Sequence, residues 1–244
     1  MLGRMKSSLA IALTGLALFS PGELSASDAV APAALLAKLA ETSARFEAMM
    51  KKASFTVAGR MGDVSSDGSL EAAKEARLRV TMRGDTANVE ILEYVEDGTD
   101  KTAEAKRKQA DKAKESRKPR KADEEVHMPF LDTEQSKYDF RVGEVDAHDP
   151  SRVCIYFHAK TRAENLMNGS AWVDTRTGDI LTTSVTASKT PAFVDYLRMQ
   201  FEFGERTSMG PAVSKLAFEG AGGFLFIRKH FRGSATVASY VIAQ

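Results

Sequence analysis

Apolar residues recur along this chain at two periods, and the change from one to the other divides it into a helix and a long run of strands. After Pro32, the positions Leu35, Leu39, Phe46 and Met50 fall on one stripe of a 3.6-residue helix, while Lys38, Glu41, Arg45 and Lys52 fall largely elsewhere. Pro32 suits a first helical turn, so the pattern predicts an amphipathic helix over residues 32–52 that packs on a sheet. From Ser54 the period becomes two. Phe55 and Val57 alternate with Thr56 and Ala58, and Asp67-Gly68 supplies a two-residue hairpin signal. The return strand is ambiguous over Leu70 to Ala76, where Glu-Ala-Ala-Lys-Glu-Ala favours helix locally, and becomes clear at Leu78, Val80 and Met82. Val89 and Ile91 continue the alternation, with Glu93 and Val95 as its extension, as far as Asp97-Gly98.

Alternation resumes at Tyr138, Phe140 and Val142 and continues through Val153, Ile155 and Phe157, then Ala171 to Val173, a Thr177-Gly178 turn, and Ile180 to Ala187. The longest predicted strand is Phe193 to Phe203, with Phe193, Leu197, Met199, Phe201 and Phe203 on one face. Val213 to Phe218, Phe224 to Phe231 and Ala235 to Ile242 complete about eleven strands joined mostly by short turns. The expected fold is therefore mainly β, in the α+β class. It is an antiparallel sheet that curls, because flat sheets of many strands are unusual, with an N-terminal helix on its inner side.

Residues 100–125 interrupt the strands. Positions 101–121 hold ten Lys or Arg against three acids, with almost no apolar residue larger than Ala, followed by Asp123, Glu124 and Glu125. Such a segment cannot bury a face and reads as a solvated helix or a disordered insertion ending near Pro119. Its plainest role is a solubilising insertion. Its partner, if it has one, is an anionic membrane surface. Nucleic acid fits the charge but not the missing aromatic interleaving, and the whole-chain charge of +1 points to no such partner.

The first residues change the compartment. Arg4 and Lys6 precede an apolar run from Leu9 to Phe19, then Pro21-Gly22, then the small residues Ala26, Ser27 and Ala29. That is the layout of a secretory signal peptide, and the run is too short for the ~20 residues that span a bilayer. The expected organisation is a signal peptide at 1–27 and a single β domain at 28–244, exported to the periplasm. Cys154 is the only cysteine, so no internal disulfide forms, and none stands at the cleavage point to carry a lipid anchor.

Several passages together resemble a known group. Ser54-Phe55-Thr56-Val57 after the helix, Asn168-Gly169-Ser170-Ala171-Trp172-Val173-Asp174 with Thr177-Gly178, and Gly222-Gly223-Phe224-Leu225-Phe226-Ile227-Arg228 are similar to exported bacterial proteins of the outer-membrane lipoprotein-sorting type, the LolA/LolB-like half-barrels. The resemblance implies an eleven-stranded antiparallel sheet curved into an incomplete barrel with helices plugging its mouth. It also implies a hydrophobic ligand in the concavity or a role as envelope sensor. The basic insertion departs from the sorting carrier, and the chain is closer to uncharacterised exported relatives.

Candidate chemistry is sparse. His127, His148, His158 and His230 show no paired spacing on a helix and no carboxylates at zinc-ligand spacing, although His158 and His230 stand at strand ends. Glu144, Asp146 and Asp149 lack the full pattern of a calcium loop, and no serine lies in a nucleophile elbow. No catalytic residue, metal site or cofactor is assigned. The expected function is non-enzymatic binding of a lipid, a lipidated protein or another hydrophobic ligand, with Phe55, Phe140, Trp172, Leu197, Met199 and Phe201 lining the site. The alternatives are an envelope sensor or scaffold that binds proteins, and an unrecognised hydrolase. The sequence leaves the oligomeric state open.

Overall fold

The computed structural model describes residues 29–115, 126–224 and 227–243. The expected signal peptide and the 116–125 part of the basic insertion lie outside the described residues. Helix α1 (Ala33–Met50) is followed by strands β1 (Ala53–Val64), β2 (Leu70–Arg83), β3 (Thr86–Glu96) and β4 (Thr99–Asp100), then helices α2 (Thr102–Glu115) and α3 (Asp132–Gln135). Strands β5 (Tyr138–Val145), β6 (Arg152–Ala159), β7 (Met167–Asp174), β8 (Ile180–Ala187) and β9 (Val194–Glu202) come next. A small hairpin, β10 (Glu205–Thr207) and β11 (Gly210–Ala212), precedes β12 (Lys215–Phe224) and β13 (Ile227–Ile242).

The expected fold class is the one observed. Eleven strands form one antiparallel sheet in the order β4-β3-β2-β1-β13-β12-β9-β8-β7-β6-β5, curved and not closed. Four local readings change. Leu70 to Ala76 is strand, because pairing with β1 on one side and β3 on the other outweighs a helix propensity of a few tenths of a kcal/mol per residue. Leu92 is bulged, since the β2–β3 register shifts between Arg77 and Leu78, so Tyr94 rather than Glu93 or Val95 rejoins the face of Leu78. The two C-terminal runs are one 16-residue strand through Gly233, which makes β13 longer than the 9-residue β9. The β10–β11 hairpin was not anticipated. It lies against α1, where Phe46 meets Phe203 edge-on at 5.6 Å and Thr207 Oγ1 contacts Met49 Sδ at 3.2 Å.

Period-two alternation gives the sheet two unlike faces. We call the face that carries α1 the inner face. There Leu35 and Leu39 of the helix join Phe140, Ile155, Phe157, Val173, Ile180 and Val185 in a buried core, with Phe130 stacked on Phe140 at 5.5 Å. The outer face is polar over much of its width and carries cross-strand ion pairs such as Arg79–Glu90 and Arg198–Glu219. Both sheet edges are covered. The Ala31 N–H donates to the Phe140 carbonyl and the Val142 N–H to the Ala29 carbonyl, which ties residues 29–31 to β5, and α2 lies along the free side of β3.

Helix α1 is fixed on the sheet at the β7–β8 turn. Lys38 Nζ donates to the carbonyls of Thr175 and Arg176 at 3.0 and 3.2 Å, and Gly178 lies beneath it with φ of +75°. A Cβ on Gly178 would stand 2.8 Å from Lys38 Cβ and 2.9 Å from its carbonyl oxygen, whereas Gly84, at φ +59°, faces open space. Replacing either glycine by alanine costs about 1–2 kcal/mol for the left-handed backbone. Gly178→Ala must also lift the helix. Its loss in urea unfolding is therefore expected to exceed that of Gly84→Ala by at least about 1 kcal/mol. Equal losses would show that the helix is not held at this turn.

Candidate functional site

Register carries single rows of side chains across the inner face. One row runs Val142, Ile155, Ala171, Thr183, Phe201, Leu216, Ala235, Gly59, Ala76 and Tyr94, each a direct cross-strand partner of the next. The neighbouring row runs Phe140, Phe157, Gly169, Val185, Met199, Phe218, Gly233, Met61, Lys74 and Glu96. Burial fades along it. Phe157 is 3% exposed and Val185 4%, Met199 and Phe218 are half-buried, and Met61 is 43% exposed.

The cause is cover. Helix α1 and the 126–137 segment lie over the β5–β8 half of the sheet, the β10–β11 hairpin packs between α1 and β13, and the space left between them is small: the gap lined by Thr42, Phe46, Met128, Ile180, Phe203 and Pro211 holds about 10 Å³. That is scarcely room for one water. Beyond β9 the same apolar face continues with less cover among the described residues, and Val57, Leu78, Val80, Ile91, Leu197, Phe218 and Phe231 are all only partly buried. Two glycines flatten this part. A Cβ on Gly233 would stand 2.3 Å from the Phe218 ring and one on Gly220 would stand 2.4 Å from the Phe231 ring, so both rings lie down on the backbone of β12 and β13. Their centroids are 6.4 Å apart.

The six residues expected to line a ligand site are not brought together. Phe140 is sealed in the core under Phe130. Met199 and Phe201 stand at the core's margin, and Leu197 lies further out, opposite Gly220. Phe55 is on the uncovered half beside Val80, stacked on Tyr240 at 5.1 Å; burial pushes the Tyr240 phenol up to about 12, and its hydroxyl donates to the Val213 carbonyl. Trp172 lies on the opposite, outer face between Cys154 and Thr182, because Ala171 and Val173 take the inner positions. Leu78, Val80, Ile91, Phe218 and Phe231 are not among the six, yet they lie on the same face as Leu197. Their alternation was legible, but only the register shows that they share a face with Leu197.

At the β3 end the inner face turns polar. Helix α2 and strands β2–β3 enclose a cleft of about 410 Å³ lined by Lys74, Tyr94, Glu96, Lys101, Glu104, Ala105, Lys108 and Gln109. The helix is tied to the strand edge by Thr102 Oγ1, which accepts from the Tyr94 N–H at 2.8 Å, and by Gln109 Nε2, which donates to the Val89 carbonyl at 2.7 Å. Lys101 and Lys74 share the Glu96 carboxylate at 2.8 and 3.6 Å, and Lys108 pairs with Glu104 at 2.6 Å. The hydrogen bond from Lys101 holds the Glu96 carboxyl below its usual range, and Glu96 in turn raises Lys101.

Histidines and acids outside this region are dispersed. His158 is on β6 and His230 on β13, separated by four strands, or roughly 24 Å at the usual strand spacing, so they do not meet. Asp146 and Asp149 are occupied in turns, accepting from the backbones of His148, Asp149 and Ser151. Among the described residues no group of three or more His, Cys, Asp or Glu is placed to hold a metal, and no helix is long and apolar enough to cross a membrane.

Cys154 is buried on the outer face beside Glu144, Tyr156 and Ser170. Burial, reinforced by the Glu144 charge, pushes its thiol up to about 12. A thiol so placed stays protonated far above neutral pH and is a poor nucleophile. At pH 8 the folded protein is expected to resist a disulfide-exchange reagent such as DTNB, while the protein unfolded in guanidinium reacts as an ordinary cysteine. Fast reaction of the folded protein would contradict this.

No family model matches the chain, and no curated protein matches it. Among solved structures it is similar to a LolA superfamily protein from Nitrosomonas europaea, at 8% identity over 86% of this chain and 94% of that one, with a TM-score of 0.46. It is also similar to a DUF1329 family protein from Desulfovibrio piger, at 9% identity over 85% and 92% of the two chains, with a TM-score of 0.41. The complex of MucA and MucB from Pseudomonas aeruginosa aligns at 11% identity over 84% and 99%, with a TM-score of 0.22.

Proposed function

We propose that this chain is an exported periplasmic protein that binds a lipid, or the acyl part of a lipidated protein, on the uncovered half of its inner face without chemically changing it. The observation that carries the reading is the mismatch between apolar face and cover. The face continues from the buried core across β9, β12, β13, β1, β2 and β3, yet beyond β9 most of its large side chains are only partly buried and Met61 is exposed. A contiguous apolar face left partly open to solvent is the kind of surface that marks an interaction site. The layout of residues 1–27 supports export.

The mechanism is desolvation. Each methylene withdrawn from water contributes about 0.8 kcal/mol, and the flat Phe218 and Phe231 rings with Met61 beside them give an adaptable floor for chains of varied shape. The covered half does not take part, because its core is filled.

Native mass spectrometry of the protein purified from the bacterial periplasm, followed by organic extraction, tests this. Bound lipid or uptake of added dodecyl chains is expected, and Leu197→Glu should lower the load at least about tenfold, since a charge in the path of an acyl chain must be desolvated. Leu197 is half-exposed, so thermal unfolding should change little. A protein that neither carries lipid nor takes up a dodecyl chain would overturn the reading, as would a Leu197→Glu variant with undiminished load.

A further inference from the structure

We propose that the ligand is an anionic amphiphile whose head group sits in the cleft between α2 and β2–β3, with its tail on the adjoining apolar face. This rests on the hydrophobic-ligand reading above and adds the chemistry of the head. The row that begins at Phe140 in the core ends at Lys74 and Glu96, after the exposed Met61. An extended molecule lying on the uncovered face therefore meets a change from apolar to charged surface at one end. From Val80 to Lys74 along β2 the distance is roughly 20 Å, and Leu78 and Ala76 supply the same-face positions between them.

The charge at that end favours an anion. Three ammonium groups, Lys74, Lys101 and Lys108, face two carboxylates, and Lys74 and Lys101 both lean on the single Glu96. Each ammonium has three donors. All three side chains remain 39–69% exposed, so their amines are reachable from the cleft. A phosphate or carboxylate placed among them would balance the third positive charge and take charge-assisted hydrogen bonds. Tyr94 and Ala105 form the apolar side of the same cleft and join it to Ala76 and the face beyond. The basic insertion thus contributes a local site in its first turns.

The test compares three amphiphiles of one tail length, dodecyl phosphate, dodecanoate and dodecyl maltoside, by titration against the full mature protein below their micelle concentrations. Either anionic head is expected to bind about tenfold tighter than the neutral one, the order of one charge-assisted hydrogen bond. Which of the two binds tighter separates a phospholipid-like from a fatty-acid-like ligand. In Lys74→Gln/Lys108→Gln the preference should fall to within about twofold while maltoside binding is unchanged. Lys101 is left in place because its pairing with Glu96 helps fasten the start of α2. Equal affinity for all three in the wild type, or a preference that survives the two substitutions, would overturn the head-group assignment and leave the hydrophobic site standing. If none of the three binds, the hydrophobic-ligand reading itself has failed. The wild-type comparison needs no variant, so it decides even if the double substitution unfolds the protein.

Discussion

A sheet of eleven strands is wider than any single helix of this length can cover. At about 4.8 Å between strands the ten spacings amount to about 48 Å, whereas the 18 residues of α1 extend about 27 Å. Antiparallel pairing with period-two alternation forces the apolar positions of every strand onto one face, so the surplus width is apolar as well. Most of the described covering elements lie on one half, and α2 covers the far end at β3. On the β5–β8 half α1 and the 126–137 segment close a core with almost no residual space. Among the described residues the other half carries far less cover over its apolar face, and the functional reading follows from that geometry.

The uncovered half stays ordered because its cohesion comes from the ladder and from contacts within the face. β13 bridges β1 and β12 over most of its 16 residues, and the phenyl rings of Phe218 and Phe231 are held down over glycines on the facing strand. Those glycines give up side-chain packing, yet the rings above them bury area that a bulkier residue would push off the sheet. The edges solve a different problem. An open β3 would offer unpaired backbone to a second copy, and α2 answers this with two side-chain hydrogen bonds to Tyr94 and Val89. Its charge keeps that cover solvated.

Much of the fold was legible because alternation survives in single strands: Tyr138 to Val142, Val153 to Phe157 and Leu78 to Met82 read correctly without any partner. The failures share one physical cause. The helix-like Glu71 to Ala76, the bulge at Leu92 and the continuity of β13 through Gly233 are all decided by neighbouring strands, and pairing is not written in local propensity. The same holds for the candidate site. Leu197 and Phe55 were rightly placed on an apolar face, but one-residue alternation puts Trp172 outside, and Phe140 belongs to the half that α1 seals. Aromatic character alone does not distinguish a filled core from an open face.

Lys74 shows what the register adds. In the sequence it sits in a run that looks helical and solvated, and nothing there connects it to the basic segment thirty residues later. Strand pairing sets it opposite Met61 on one side and Glu96 on the other, on the inner face. The turn at Asp97-Gly98 and the short β4 then bring Lys101 and α2 back over the same spot. A lysine at the end of an apolar row would ordinarily mark the sheet's limit. With two further lysines delivered by α2, and only two carboxylates to receive the three, the row ends in an excess of positive charge. The covering of an edge strand and the making of an anion-binding cleft are thus one structural solution, since the helix that blocks β3 supplies both.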